Sequence, residues 1–284
     1  MRVSPPRISP QASRSGKPPM AVAGSADAYR QSSFVLGGDL DLLLQGLELE
    51  GSLAEAASGA KYRNQRVASA LGLWSRAWLN RQQALHAAEW GNYAAAVPLV
   101  RAAADYEAAE IYLLRQDAAE WEEWLAQGGI ALAPEEHATE FRLHAFRAAE
   151  VLAAHDILGP LYRAAMDLSM PHFGATLLLC GSESDPARVA MTFGDRDFHL
   201  GLAELVMGWL LLLGVAQLEA LVEFEAVFPL PDRPAIEKWC AAARESAARA
   251  DRCRVEVVEL NGEKRYIVQN WRRAPGAARK RLLL

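Results

Sequence analysis

Residues 205–216 read LVMGWLLLLGVA, twelve in a row with no charge, amide or hydroxyl. A helix crossing a bilayer needs roughly 18–20 apolar residues, so this run is too short to span one. It is bounded by Glu204 on one side and by Gln217, Glu219 and Glu223 on the other. No Lys or Arg stands beside it as an interfacial anchor. The run therefore predicts a helix that is apolar on all sides and buried at the centre of a larger bundle. It sits inside a helix-compatible segment, 198–228, that also holds Gly201, Gly208 and Gly214. Each glycine costs about 1 kcal/mol of helix propensity relative to alanine. Gly201 and Gly208 are seven residues apart and share a face, which predicts close approach of a neighbouring backbone.

The sequence on either side supplies helices to surround such an axis. Asp39–Leu49 has the makings of a short helix, followed by a loop at Gly51–Gly59. Apolar residues then recur at helical spacing from 61 to 90 (Val67, Ala70, Leu71, Trp74, Trp78, Leu85), and Gly91 ends that helix. A second long helix over 93–116 carries Val97, Val100, Ala104, Ala108 and Ile111 on one stripe, so the pair predicts an antiparallel hairpin. Shorter helices follow around Trp121–Leu125, at 135–155 and at 157–170, then a short apolar segment at 173–180. GSESDPARVAMTFGD, residues 181–195, reads as an internal loop and a hinge candidate; Asp195 or Asp197 is placed to cap the central helix. An amphipathic helix spans 235–252.

The period changes at the end of the chain. VEVVELNGEKRYIV alternates around Asn261–Gly262, a pair suited to a two-residue type I′ turn. That register sets Glu259 opposite Lys264, Val257 opposite Tyr266 and Val255 opposite Val268. An isolated hairpin is marginal, so this one must pack on helices or on another chain. The fold class predicted is mainly α: a multi-helix bundle around a central buried helix, with a small C-terminal β-hairpin at 254–269. A single domain over 21–270 is expected, with a subdivision allowed at the 181–196 loop.

Charge divides the chain differently. The net charge is −5. Residues 1–20 carry four basic side chains and no acid, and residues 271–284 carry five and no acid, leaving −14 for the body between them. The Pro- and Ser-rich start MRVSPPRISPQASRSGKPPM predicts a disordered segment, and 271–284 a solvated basic tail. Met20 opens MAVAGSADAYR, which would serve equally well as a start. An acidic body argues against a broad nucleic-acid surface. Cys180, Cys240 and Cys253 are odd in number and widely spaced, which fits reduced thiols in a cytoplasm. No apolar segment follows the first basic residues, so neither a secretion signal nor a membrane association is expected.

Familiar catalytic and cofactor motifs are missing from the sequence, and no cofactor is expected. Asp195, Asp197 and His199 in GDRDFH put three ligand-type side chains within five residues, a weak metal candidate beside the capping reading. Glu135, Glu136, His137, Glu140 and His144 crowd one helix, where a solvated face is the plainer reading. Arg101 and Glu107 flank the apolar stripe of the second long helix and are pocket candidates.

The two alanine-rich helices, with AAAVPLVRAAADYEAAEIYLL in the second, resemble the HEPN superfamily of bacterial helical bundles. That resemblance implies a ribonuclease of toxin or phage-defence type using an arginine and a following histidine, here Arg81 and His86 in RQQALH. RNA enters as a partner only through that resemblance. From the residues themselves the expectation is a non-catalytic helical protein that binds a protein partner or a second copy of itself. A helical sensor holding a small apolar ligand is a third reading.

Overall fold

The computed structural model describes residues 3–57, 64–115, 118–126, 148–181, 184 and 187–284. Among them the chain is mainly α, with a small antiparallel sheet at its C-terminal end. The helices are α1 (Ala23–Val35), α2 (Gly37–Ala56), α3 (Gln65–Glu89), α4 (Tyr93–Arg115), α5 (Ala118–Ala126), α6 (Ala148–Ala154), α7 (Leu158–Ser169), α8 (Phe173–Cys180), α9 (Leu200–Glu223) and α10 (Arg233–Ala247).

α9 is the axis. Of the twelve residues 205–216 all are buried except Leu212, which is half-buried. Among the described helices α9 alone is long and apolar enough to cross a membrane, and 83% of its most apolar stretch is buried inside the protein. Packed around it are α2, α3, α4, α7, α10 and the first two strands. Its glycines admit neighbours, though mostly side chains where backbones were expected. Gly201 faces the Trp271 ring and the Arg272 backbone, Gly208 the Arg252 side chain, and Gly214 the Trp239 ring. Trp239 of α10 is received on its other side by Gly46 of α2, and its indole nitrogen donates to the Leu42 carbonyl at 2.9 Å.

α3 and α4 form the expected antiparallel hairpin. Arg66, at the start of α3, donates to the carbonyls of Leu113 (2.9 Å) and Leu114 (2.6 Å) at the end of α4, covering acceptors that a helix C-terminus leaves unmet. The turn needs Gly91: its φ is +72°, and any side chain there would overlap the Arg196 carbonyl.

α1 was not predicted, because AGSADAYRQSSFV has no apolar stripe to announce it. It is held instead by small buried residues, Ser25, Ala28 and Ser32, with Ser25 Oγ donating to the Trp90 carbonyl at 2.9 Å. α2 runs through the loop expected after Leu49.

β1 (Arg254–Leu260) and β2 (Glu263–Trp271) pair in the predicted register, including Glu259 with Lys264, Val257 with Tyr266 and Val255 with Val268. Asn261 (φ 54°) and Gly262 (φ 82°) both take the positive φ a type I′ turn demands. The hairpin packs on the chain's own helices: Val268 is fully buried, and Tyr266 donates to Asp167 of α7 at 2.6 Å.

Both ends differ from expectation. The basic C-terminal segment is not a free tail. Lys280–Leu283 forms β3 against β2, and Leu284 N–H donates to the Tyr266 carbonyl at 2.9 Å. At the other end residues 3–20 lie along the bundle, and Arg14, Ser13, Ser15 and Gly16 all bond to it. At each end basic residues also pair with acids of the body, Arg14 with Glu89 and Arg272, Arg273 and Arg279 with Glu204, Asp197 and Asp251.

Candidate functional site

Arg81 and Glu107 meet in the interior. Arg81 of α3 is 3% exposed and makes a two-pronged pair with Glu50 of α2, one guanidinium nitrogen 2.7 Å from Oε1 and the other on Oε2. Trp74 Nε1 donates to the same Glu50 carboxylate at 2.9 Å. Arg81 Nε lies 3.3 Å from Glu107 Oε1, in an ion pair that lacks hydrogen-bond geometry, and neither Glu107 oxygen has a hydrogen-bond partner. One turn on, Glu110 accepts from Gln217 of α9 at 3.0 Å. Three buried carboxyls thus surround one cation.

Electrostatics decides their charges. Burial pushes the Glu110 carboxyl up to about 8, and pushes Glu107 well above the usual carboxylate range despite Arg81. For Arg81, burial works against its charge but Glu50 and Glu107 outweigh it and hold it protonated. Burial thus shifts Glu107 and Glu110 towards their neutral forms beside the Arg81–Glu50 pair, and the cluster ties α2, α3, α4 and α9 together. Arg81, Glu50 and Glu107 are all buried.

His86 is elsewhere. Five residues place it about 140° around the helix from Arg81, and its Nε2 bonds the Ser13 carbonyl at 2.7 Å. The pair implied by the HEPN resemblance is not brought together. Arg101 also stands apart from Glu107: it pairs with Asp105 at 3.4 Å, with its guanidinium 5.9 Å from the Tyr162 ring centre.

Asp195, Asp197 and His199 take separate tasks. His199, not an aspartate, is the N-cap of α9, its Nδ1 3.5 Å from the Leu202 amide. Burial drops its pKa to about 4, so the ring is neutral and can accept, and it stacks on Trp271 at 4.1 Å. Asp195 accepts from the Asp197 amide at 3.0 Å, and Asp197 pairs with Arg273 at 3.2 Å. They line a cleft of about 270 Å³ with Gly91, Tyr93 and Cys180. Among the described residues no group of three or more His, Cys, Asp or Glu is arranged to hold a metal ion. The acid- and histidine-rich stretch Glu135–His144 lies outside the described residues.

One feature was not singled out in the sequence. α8, FGATLLLC, has no charged residue, yet only Ala175 and Leu178 are buried in it. Phe173 is 66% exposed, Met170 just before the helix is exposed too, and so are Val189, Met191 and Phe193 in the loop that follows it. The 187–193 strand of loop runs beside α8, with Thr192 N–H donating to the Cys180 carbonyl at 2.8 Å and Met191 and Leu177 both packed at Gly181. The signal was present as MTF in a loop and an uncharged octamer before it, which read equally well as core.

Comparison with known protein families, with characterised proteins and with solved structures found no match.

Proposed function

We propose that this chain is a non-catalytic association module, acting by binding a protein partner or a second copy of itself. One observation carries this reading: the uncharged helix α8 and the Val189–Phe193 loop against its C-terminal end both leave large apolar side chains in water. Contiguous exposed apolar surface marks interaction sites, because water penalises it by about 25 cal/mol per Å² until something covers it. The burial of Arg81 between Glu50 and Glu107 supports the same reading, since a buried ion pair of this kind fits a structural role. Burial pushes the thiols of Cys240 and Cys253 up to about 12, which keeps them protonated and unreactive.

The test is association measured by light scattering and by co-purification, with the double substitution Phe173→Asp, Phe193→Asp as control. Both side chains are exposed, so the variant folds, and we expect it to lose self-association or its co-purifying partner. A wild-type chain that stays monomeric at all concentrations and brings down nothing would overturn the reading.

A further inference from the structure

The segment at residues 13–16 is held the way a bound peptide is held. Three of its polar contacts go to backbone atoms. His86 Nε2 meets the Ser13 carbonyl at 2.7 Å, Ser15 N–H donates to Glu89 Oε2 at 2.8 Å, and Trp90 Nε1 donates to the Gly16 carbonyl at 2.9 Å. The side-chain recognition falls on Arg14. Its Nε donates to Glu89 Oε1 at 2.6 Å and its terminal nitrogen to Ser33 Oγ at 2.6 Å, while the guanidinium lies 4.8 Å over the Tyr29 ring. Backbone contacts of this kind supply affinity for any extended chain, and a slot for one side chain supplies specificity. Glu89, Ser33 and Tyr29 form an arginine slot.

The segment adds little to the core, with Ala12 packed half-buried against it and Pro10 set in the notch that Gly51 leaves in α2. None of the large apolar side chains in the core cluster comes from residues 3–20. Open clefts flank it, one of about 420 Å³ lined by Arg7–Pro10 together with α2 and α3, and one of about 360 Å³ lined by Ser15 and Gly16 together with α3. Protein interiors are close-packed, so a segment flanked by spaces of this size is docked on the surface it covers. Beneath it Glu89 is fully buried and pairs with Arg14 at 2.6 Å. A site that hides a carboxylate on an acidic body selects a basic occupant.

We propose that the α1–α3 groove formed by Tyr29, Ser33, His86, Glu89 and Trp90 is a recognition site for an extended, arginine-bearing peptide segment of another protein. Residues 13–16 occupy it in cis and so hold it closed. The site uses residues different from the α8 surface, so either can fail without the other.

The test uses the full-length chain and a labelled synthetic peptide spanning residues 9–19, SPQASRSGKPP, read by fluorescence anisotropy. The wild-type chain, with its groove filled, should bind it poorly. The Arg14→Ala chain keeps the groove but weakens its own segment, and should bind the peptide about ten-fold more tightly than wild type. The same peptide with alanine for its arginine should lose at least that factor, a comparison that leaves the protein untouched. Adding Glu89→Gln to the Arg14→Ala chain should also abolish the gain. Equal binding by both chains, binding by neither, or indifference to the peptide's arginine would overturn the proposal. So would unfolding of the Arg14→Ala chain by circular dichroism, because it would make the segment structural.

Discussion

Glu110 is a single carboxyl whose protonation is coupled to the whole bundle. Burial raises it from an ordinary 4.5 to about 8, with Gln217 working the other way through a hydrogen bond. Its folded value therefore lies above its unfolded one. Stability from keeping it neutral is present in full below about pH 4.5 and drains away as pH rises towards 8, because the unfolded chain releases the proton first. Each pH unit in that window costs up to about 1.4 kcal/mol. Glu107 moves in the same direction, also through burial. Denaturant unfolding should show the wild-type chain weaker at pH 8 than at pH 5 by about 2–4 kcal/mol. Glu110→Gln, which keeps an amide against Gln217, should remove about half of that gap or more; an unchanged gap would sink the assignment. The site was legible here only in part. Arg81 and Glu107 stood out in the sequence for separate reasons, and the fold joins them. Their third member, Glu50, sits on α2, and helical spacing identifies faces without saying which helix faces which. His86 entered only through the HEPN resemblance, and its spacing from Arg81 turns it to another side of α3.

Two glycines show how packing sets the sign of one substitution at the level of the element. At Gly46 of α2 an added Cβ would overlap the Trp239 ring, a flat side chain fixed by its bond to Leu42. At Gly72 of α3 the same atom meets no heavy atom within 4 Å. Gly46→Ala should lower stability by about 1–3 kcal/mol through overpacking. Gly72→Ala should raise it by up to about 1 kcal/mol through helix propensity alone. Thermal melts of the two variants should move in opposite directions; movement the same way would mean that α2 and α10 are not locked through Trp239. Neither sign can be read from sequence, where both positions are glycines in apolar helices. What was legible carried its own pattern: helical spacing in α3, α4 and α10, an unbroken apolar run in α9, and alternation in the β1–β2 hairpin. α1 and β3 do not. KRLL is a strand only because the free edge of β2 receives it, and α1 is a helix whose small residues matter only against Trp90.

At the scale of the molecule, the charge asymmetry between ends and body turns out to be a folding instruction. The basic ends close onto the acidic body through Arg14 on Glu89, Arg272 on Glu204, Arg273 on Asp197 and Arg279 on Asp251. Composition predicts disorder for such segments because it counts apolar residues and net charge within the segment, not the opposite charge waiting elsewhere. The four pairs differ in kind. Arg272 and Glu204 are both buried, at 2.6 Å, and Gly201 N–H donates to the Arg272 carbonyl at 2.9 Å. Arg273–Asp197 and Arg279–Asp251 are exposed pairs at 3.2 and 3.9 Å. Salt screens exposed charges over a Debye length of about 3 Å at 1 M, while a pair shielded from solvent is screened far less. Amide hydrogen exchange at about 0.1 M and about 1 M salt should therefore accelerate over residues 273–281 and hold steady around Gly201 and Arg272. If the exposed pairs are incidental, exchange over 273–281 will ignore salt, and β3 will owe its place to the backbone bonds of the sheet alone.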